Sequence, residues 1–404
     1  MTPNNSLEQF IGKYYLPHVV EGLRTIDAQV LEDISERVAH RIREGRRLFG
    51  FGNGGSEAIS EAFIYALEQR ISPEFQFDTY SNPKLSEAVD SPNQELFNHR
   101  IKRSGRKGDL AILVSASGNS DNVNTVSAIC RENGVETVAI SGNGRIANDP
   151  ETKTDYSIVI PIEDQQILED VTLGVIYLIA ELTQYKTEAK EYDVATVRSR
   201  YIDQLVTGFG QLSARAIGSL AADIIQAYKI GKLVRIDAPD SGQLSINAKH
   251  MQHNLKWDAF QDVKNRLPNR VYSGLPTYHL SGVANDGGEC FNYTVEVDDN
   301  NAPGDVELLF TREIGSRSIQ ALLKVAEKKR MSIHQFSFNV ESEYVASNLT
   351  QSVLHLTSRV INAHLLCEQA YSETFEDQLR QDLALLRQKD KIRQRLERVY
   401  KTNG

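Results

Sequence analysis

Residues 115–120 (Ser-Ala-Ser-Gly-Asn-Ser), here called the serine loop, combine hydroxyl groups, one amide side chain and one glycine. They follow the apolar run 109–114 and precede residues 121–130, whose apolar positions recur at helical spacing. We therefore expect a strand, this loop and then the first turn of a helix, where backbone N–H groups lack intrahelical partners. Such a helix start favours binding of an anion such as phosphate. Serine and asparagine are also common capping and turn residues, so a structural role stays open.

Residues 52–56 (Gly-Asn-Gly-Gly-Ser), here called the glycine loop, form a second segment of this kind. They lie between the short apolar stretch 47–51 and a helical pattern over 57–69. This arrangement suits anion binding or close backbone packing. Glu57 and Glu61 lie one helical turn apart beside the loop, and either carboxylate could serve as a base. A surface position is the simpler interpretation of each.

Composition and charge limit the classes of protein to be considered. The chain has 404 residues, 40% of them hydrophobic and 25% charged, as in soluble globular proteins of two domains. A formal charge of −9 gives no support to a nucleic-acid or membrane-surface partner. Three widely spaced cysteines without a CxxC pair indicate a reducing compartment and no disulfide framework. With no leader-like start and no apolar run long enough to span a membrane, we expect a cytoplasmic protein.

Strands alternate with helices along the chain, which predicts an α/β fold with a parallel sheet. Residues 232–236, 304–310, 318–329 and 332–337 repeat the order of residues 47–51, 108–114, 121–133 and 135–140. We interpret this as an internal duplication of one domain. A first domain is predicted over 1–190 and a second over 200–372, followed by a charged helix over 373–404 that packs or mediates oligomerisation.

The glycine and serine loops, in this order on matching strand–helix units, resemble those of the sugar isomerase (SIS) domain, and most of all those of phosphoheptose isomerases. The resemblance covers residues 45–185 well and 230–370 more faintly. It implies two tandem SIS domains, each a flavodoxin-like three-layer sandwich with a parallel sheet between helices. It also implies a phosphorylated sugar as ligand. The residues implied to bind its phosphate are Asn53, Ser56, Ser115, Ser117, Asn119 and Ser120.

The acid and base of this family do not match the first half of the chain. In phosphoheptose isomerases the helix after the glycine loop carries a histidine and, one turn later, a glutamate. The corresponding positions here hold Ala62 and Ala66. A catalytic histidine on a later helix of the family corresponds to Val171. The first domain is therefore expected to bind phosphate without supplying the family's acid–base pair.

The second half shows the reverse pattern. His250 lies at the family's histidine position, with Asn254 where the glutamate would be. Asp286 lies in a segment resembling a substrate-binding Ala-Asn-Asp of the family, although an aspartate before two glycines is equally suited to a turn. His355 falls where the late catalytic histidine does, although its apolar neighbours are equally consistent with a histidine of the core.

Because family active sites form at subunit interfaces, we predict one composite site between the two domains. The first domain would hold phosphate, and the second would transfer protons. The predicted catalytic residues are His355, His250 and Glu61, with Glu57 and Glu169 as alternative bases. No metal or other cofactor is predicted. Zinc is an alternative because His250 and His253 share a helix face, but no carboxylate lies near them in sequence.

The predicted function is isomerisation of a ketose phosphate, such as sedoheptulose 7-phosphate, through an enediol. The alternatives are a non-catalytic regulator that binds a phosphosugar and an isomerase of another sugar or amino-sugar phosphate. The predicted partners are a phosphorylated sugar and a second copy of the chain in a homodimer, without nucleic acid or membrane.

Overall fold

The computed structural model describes residues 3–71, 77–79, 96–238, 271–273, 302–311 and 317–369. Five parallel strands form the first sheet: β1 Leu48–Phe51, β2 Phe77–Thr79, β3 Leu110–Ser115, β4 Glu136–Ser141 and β5 Tyr156–Val159. Their order is β2-β1-β3-β4-β5, which is the doubly wound order of flavodoxin. The predicted α/β fold of the first half is thus confirmed.

The second sheet repeats the first four positions of this order. Its strands are β6 Val234–Asp237, β7 Val271–Ser273, β8 Val306–Thr311 and β9 Ser332–Ser337. They are parallel and lie in the order β7-β6-β8-β9. Val234 pairs with Val306 just as Leu48 pairs with Leu110. The matching register agrees with a duplicated domain.

Helices flank both sheets. The first half contains α1 Pro3–Phe10, a five-residue π-helix Ile11–Tyr15, α2 Leu16–Thr25, α3 Ala28–Arg43, α4 Gly55–Ile71, α5 Leu96–Ser104, α6 Asp121–Glu132, α7 Arg145–Asn148 and α8 Gln165–Thr187. The second contains α9 Val194–Phe209, α10 Ala214–Lys229, α11 Arg317–Lys328 and α12 Glu343–Gln369. Aspartate side chains cap α3, α8 and α9 by accepting hydrogen bonds from first-turn N–H groups.

Two features of the fold are not evident from the sequence pattern. The helical pattern over 202–230 is broken at residues 210–213, where Ser213 Oγ accepts a hydrogen bond from Ala216 N and begins α10. The strands β2 and β7 and the helix α5 were not predicted, and each of these strands has only three residues. The helix predicted over 373–404 lies outside the described residues.

The two halves share one buried core, which runs from Leu7 to Ile361. α8 packs against α12, and the ring of Tyr177 stacks on that of Tyr344 with centroids 4.6 Å apart. α9 contacts α2 and α8 of the first half and also α12, so the domain limits of 190 and 200 stay predictions. Within the described part of the chain, no helix is long and apolar enough to cross a membrane.

Candidate active site

The glycine loop and the serine loop lie side by side at the carboxyl ends of β1 and β3, which are neighbours in the sheet. Ala116 N donates a hydrogen bond of 3.2 Å to Ser56 Oγ. The amide side chains of Asn53 and Asn122 form two reciprocal hydrogen bonds of 2.8 Å. Because each loop bonds to the other or to the helix that follows it, the two form one rim at the end of the sheet where α/β proteins bind ligands.

The conformation of the serine loop depends on Gly118. Its φ of +66° is in the left-handed region, and a Cβ atom there would lie 2.8 Å from backbone atoms of Gly144. The Gly118 N–H donates to Ser115 Oγ at 3.1 Å, and Ser115 Oγ lies 3.2 Å from Ser120 Oγ. Ser120 is the N-cap residue of α6, but its hydroxyl turns towards Ser115 instead of capping the helix. Within the first turn of α6, Val123 N donates to Asn122 Oδ1 at 3.0 Å.

Ser117 and Asn119 are the exposed members of the serine loop. Asn119 N donates to Ser117 Oγ at 3.1 Å, and Asn119 Oδ1 accepts a hydrogen bond of 3.0 Å from Arg145 N. The Arg145 guanidinium lies 2.8 Å from Asp121 in an exposed ion pair at the mouth of the loop. The structure thus brings all six predicted phosphate-binding residues to one end of the first sheet.

The positions that correspond to the family's acid–base pair belong to the apolar core. Ala62 and Ala66 are buried on α4, and the Tyr344 hydroxyl of the second half donates to Ala66 O at 3.3 Å. Val171 is fully buried and packs against Gly22 of α2. Glu61 is buried on the same helix as the two alanines, with 9% of its surface exposed. The first half therefore carries the loops predicted to bind phosphate, without the histidine and glutamate of the family.

A group of buried polar side chains joins α8 to α12. His355 of α12 places Nδ1 2.9 Å from Asp170 Oδ1 and Nε2 3.2 Å from Glu169 Oε2, so consecutive carboxylates of α8 face the two ring nitrogens. His355 and Asp170 are fully buried, and Glu169 is 6% exposed. The structure therefore brings a histidine of the second half between two carboxylates of the first.

Asp170 also accepts hydrogen bonds from Tyr15 Oη at 2.7 Å, from Gln351 Nε2 at 3.0 Å and from Ser352 Oγ. Tyr15 ends the π-helix, an element that often occurs at functional sites. We call the following set the interdomain cluster: Tyr15, Glu169, Asp170, Gln351, Ser352 and His355.

Electrostatic interactions in the interdomain cluster favour a charged His355. Burial alone would lower the pKa of this histidine, but the charge and hydrogen bond of Asp170, reinforced by Glu169, raise its pKa to about 10. At neutral pH the ring is therefore an imidazolium. Burial, together with the charge of Asp170, raises the pKa of the Tyr15 hydroxyl well above its ordinary value. Tyr15 is thus a hydrogen-bond donor throughout the physiological range.

The first turns of α8 connect the interdomain cluster to the loops. A Cβ atom at Gly142 would lie 3.1 Å from Leu168 Cδ1 and even closer to Ala116 O, so Leu168 packs beneath the serine loop. Gly142 N also donates to Ala116 O at 3.2 Å. Since Glu169 directly follows Leu168, this contact connects the helix that carries Glu169 to the segment beside the serine loop.

Several predicted residues lie outside the described part of the chain. They are His250, His253, Asn254 and Asp286. Among the residues that the structure describes, no group of three or more His, Cys, Asp or Glu side chains is arranged to hold a metal ion.

Three residues of the candidate site were not predicted from the sequence: Tyr15, Asn122 and Asp170. Two adjacent acidic residues within the apolar helical pattern 167–184 were the signal that could have identified Asp170.

Comparison with known proteins agrees with this fold. The family model of the SIS domain matches residues 15–142. A phosphoheptose isomerase of Halorhodospira halophila is 30% identical over 152 residues, which make up 36% of this chain and 77% of that protein. The chain therefore belongs to the SIS-domain family.

Two solved structures resemble nearly the whole chain. A candidate sugar-binding protein from Salmonella typhimurium LT2 superposes with a TM-score of 0.55 at 15% identity and covers 88% of this chain and 99% of its own. The C-terminal domain of the glucosamine-fructose-6-phosphate aminotransferase from Francisella tularensis gives 0.54 at 12% identity, with 88% and 94% covered. At these identities the similarity shows the fold alone, and it extends over both halves.

Proposed function

We propose that this protein is a phosphosugar isomerase acting on a ketose phosphate such as sedoheptulose 7-phosphate, with one composite site between its two halves. The observation that carries the proposal is the pairing of Glu169 from the first half with His355 from the second, on a helix whose start packs beneath the serine loop. The name of the Halorhodospira halophila relative supports the choice of substrate.

The glycine and serine loops bind the phosphate in this proposal. The hydroxyls of Ser56, Ser115 and Ser120 lie beside the start of α6, where the partial positive charge of the helix stabilises an anion. Ser117 and Asn119 complete the rim on its exposed side, and Asn53 fixes the glycine loop to α6 through Asn122.

Interconversion of an aldose and a ketose requires a base to remove a proton from the carbon beside the carbonyl, and an acid to protonate the carbonyl oxygen. We assign Glu169 as the base, because it is the acidic member of the interdomain cluster that retains exposed surface. The imidazolium of His355, 3.2 Å away, balances the charge of the carboxylate as the proton moves. Glu61, a candidate base in the sequence, and His250, which lies outside the described residues, stay predicted catalytic residues.

Three variants separate proton transfer from phosphate binding. Glu169→Gln and His355→Asn are expected to lower kcat for sedoheptulose 7-phosphate at least about 100-fold, since general acid–base catalysis contributes about that much or more. Their Kd for the sugar phosphate, measured by calorimetry, should stay near that of the wild type. Ser120→Ala should instead raise Kd, because it removes a hydroxyl of the phosphate rim.

His334→Asn is the matched control, because it also removes a histidine bonded to a carboxylate, Asp223, but on β9 and away from the interdomain cluster. It is expected to retain the turnover of the wild type. Turnover retained by both Glu169→Gln and His355→Asn would contradict the assignment of these residues.

A second function is favoured by the burial of His355. A histidine with no exposed surface, held between two carboxylates, can serve as an interdomain contact in a protein that binds a phosphosugar without converting it. The core positions of Ala62 and Ala66 favour the same interpretation. Under it, the wild-type protein would bind sedoheptulose 7-phosphate or glucosamine 6-phosphate but turn over neither.

The predicted homodimer and cytoplasmic location stay predictions.

A further inference from the structure

Asp170 receives more hydrogen bonds than a link between two helices requires. Tyr15 Oη donates to Oδ2 at 2.7 Å, Gln351 Nε2 to Oδ1 at 3.0 Å, and Ser352 Oγ to Oδ2. His355 Nδ1 lies 2.9 Å from Oδ1. Four groups from two segments of the chain, the π-helix and α12, thus surround one fully buried carboxylate.

This arrangement fixes the plane of the His355 ring. A histidine whose Nδ1 donates to an immobile carboxylate can neither flip nor rotate without losing that bond, so the other nitrogen points in one direction. Here that nitrogen, Nε2, lies within ion-pair distance of Glu169, 3.2 Å from Oε2. Gln165 Nε2, 3.3 Å from Glu169 Oε1, restrains Glu169 from the other side.

The other charged groups around the interdomain cluster are already matched with partners. Asp164, at the start of α8, pairs with Arg359 of α12. The Arg359 guanidinium also lies 5.9 Å from the centroid of the Tyr15 ring. On α9, the Tyr201 hydroxyl accepts a hydrogen bond of 3.3 Å from Asn348 Nδ2, and Asn348 Nδ2 also donates to Asp170 O. The carboxylates that face the nitrogens of the imidazole ring are those of Asp170 and Glu169, and the Tyr15 hydroxyl lies 3.5 Å from Nδ1.

We propose that Asp170 is a positioning residue that orients His355 towards Glu169, and that Tyr15 in turn holds Asp170 in place. The proposal rests on the proposed isomerase function, in which Glu169 and His355 transfer protons. Stability alone does not account for such a cluster, because well-packed apolar side chains often replace buried ion pairs without loss of stability. The four hydrogen bonds instead select a single orientation of the His355 ring, and the groups that form them belong to both halves of the chain.

The test uses full-length protein labelled with ¹⁵N-histidine, in which His355→Asn identifies the His355 ring signals. In the wild type, both ring nitrogens should carry protons at neutral pH. Asp170→Asn, which is nearly isosteric, should shift the Nδ1 signal and lower the pH at which the ring loses its proton. The same variant should lower kcat about 100-fold or more, with KM changed by less than about threefold. Tyr15→Phe should change both readouts in the same direction by a smaller factor.

Tyr177→Phe is the matched control, since it removes a buried hydrogen bond of 2.5 Å to Ser347 at the same α8–α12 contact, outside the interdomain cluster. It should leave the His355 ring signals and kcat unchanged. If Asp170→Asn shifts the ring signals but no protein, wild type included, turns over substrate, the isomerase function fails while the orientation by Asp170 stands. If Asp170→Asn leaves the ring signals unchanged, the positioning role is overturned. Should that variant not fold, Tyr15→Phe with unchanged ring signals and kcat overturns it equally.

Discussion

The charge on His355 predicts a specific loss of stability as the pH rises. In the folded protein its pKa is about 10, whereas an unfolded chain releases the same proton near 6.5. Between these values the folded state binds more protons than the unfolded state, so the free energy of unfolding falls with increasing pH. The stabilisation is complete below about pH 6.5 and is lost as the pH passes about 10. One proton contributes at most about 1.4 kcal/mol per pH unit, or roughly 5 kcal/mol over the whole interval.

Urea unfolding followed by circular dichroism at about pH 7, 8 and 9 measures this slope. The wild type should lose about 1 kcal/mol more per pH unit than His355→Asn, because only the wild type carries the buried imidazolium. His334→Asn is the control, since its carboxylate partner Asp223 has 41% of its side chain exposed and such pairs contribute little to stability. This variant should follow the wild-type slope. Parallel slopes for the wild type and His355→Asn would refute the description of the cluster as a buried ion pair.

Two further predictions concern glycines. Gly118→Ala should weaken sugar-phosphate binding at least about tenfold by calorimetry, because the residue has a φ of +66° and its Cβ would meet the backbone of Gly144. Gly45→Ala is the control, since its φ of +64° is similar but the space around it is open, and it should lower stability without changing the Kd for the sugar phosphate. An equal loss of binding in both variants would show that the contact between Gly118 and Gly144 does not shape the binding loop. Gly208→Ala should lower the free energy of unfolding by about 1–3 kcal/mol, because its Cβ would lie 2.1 Å from buried Leu349. Thermal unfolding measures this loss, and an unchanged Tm would show that α9 and α12 are not in close contact.

Local sequence patterns predicted most of the fold. Buried parallel strands are continuous apolar runs, and β1 and β3 were predicted for that reason. The repeated order of elements then predicted the second sheet. Periodicity failed where elements are short, as in β2 and β7, and where a helical pattern continues across a break, as at Ser213 between α9 and α10.

The candidate site was likewise predictable from the sequence only in part. The glycine loop and the serine loop are each contiguous in sequence, so their composition alone predicted that they bind an anion. The interdomain cluster is a tertiary contact, because Asp170 and His355 lie 185 residues apart. Sequence comparison could mark His355 as a candidate, but no spacing rule connects it to a carboxylate on another helix. The fold supplies that partner by packing α8 of one half against α12 of the other.

Incorporation of deuterium from solvent distinguishes isomerisation through an enediol from binding of the sugar phosphate alone. Wild-type protein and sedoheptulose 7-phosphate in D₂O would be followed by NMR, with Glu169→Gln, His355→Asn and His334→Asn in parallel. The proposed mechanism predicts that the wild type and His334→Asn introduce deuterium at the carbon beside the carbonyl, and that the other two variants do so at least about 100-fold more slowly. Binding of the sugar phosphate without any deuterium incorporation by the wild type would contradict isomerisation and assign the protein to the phosphosugar-binding regulators.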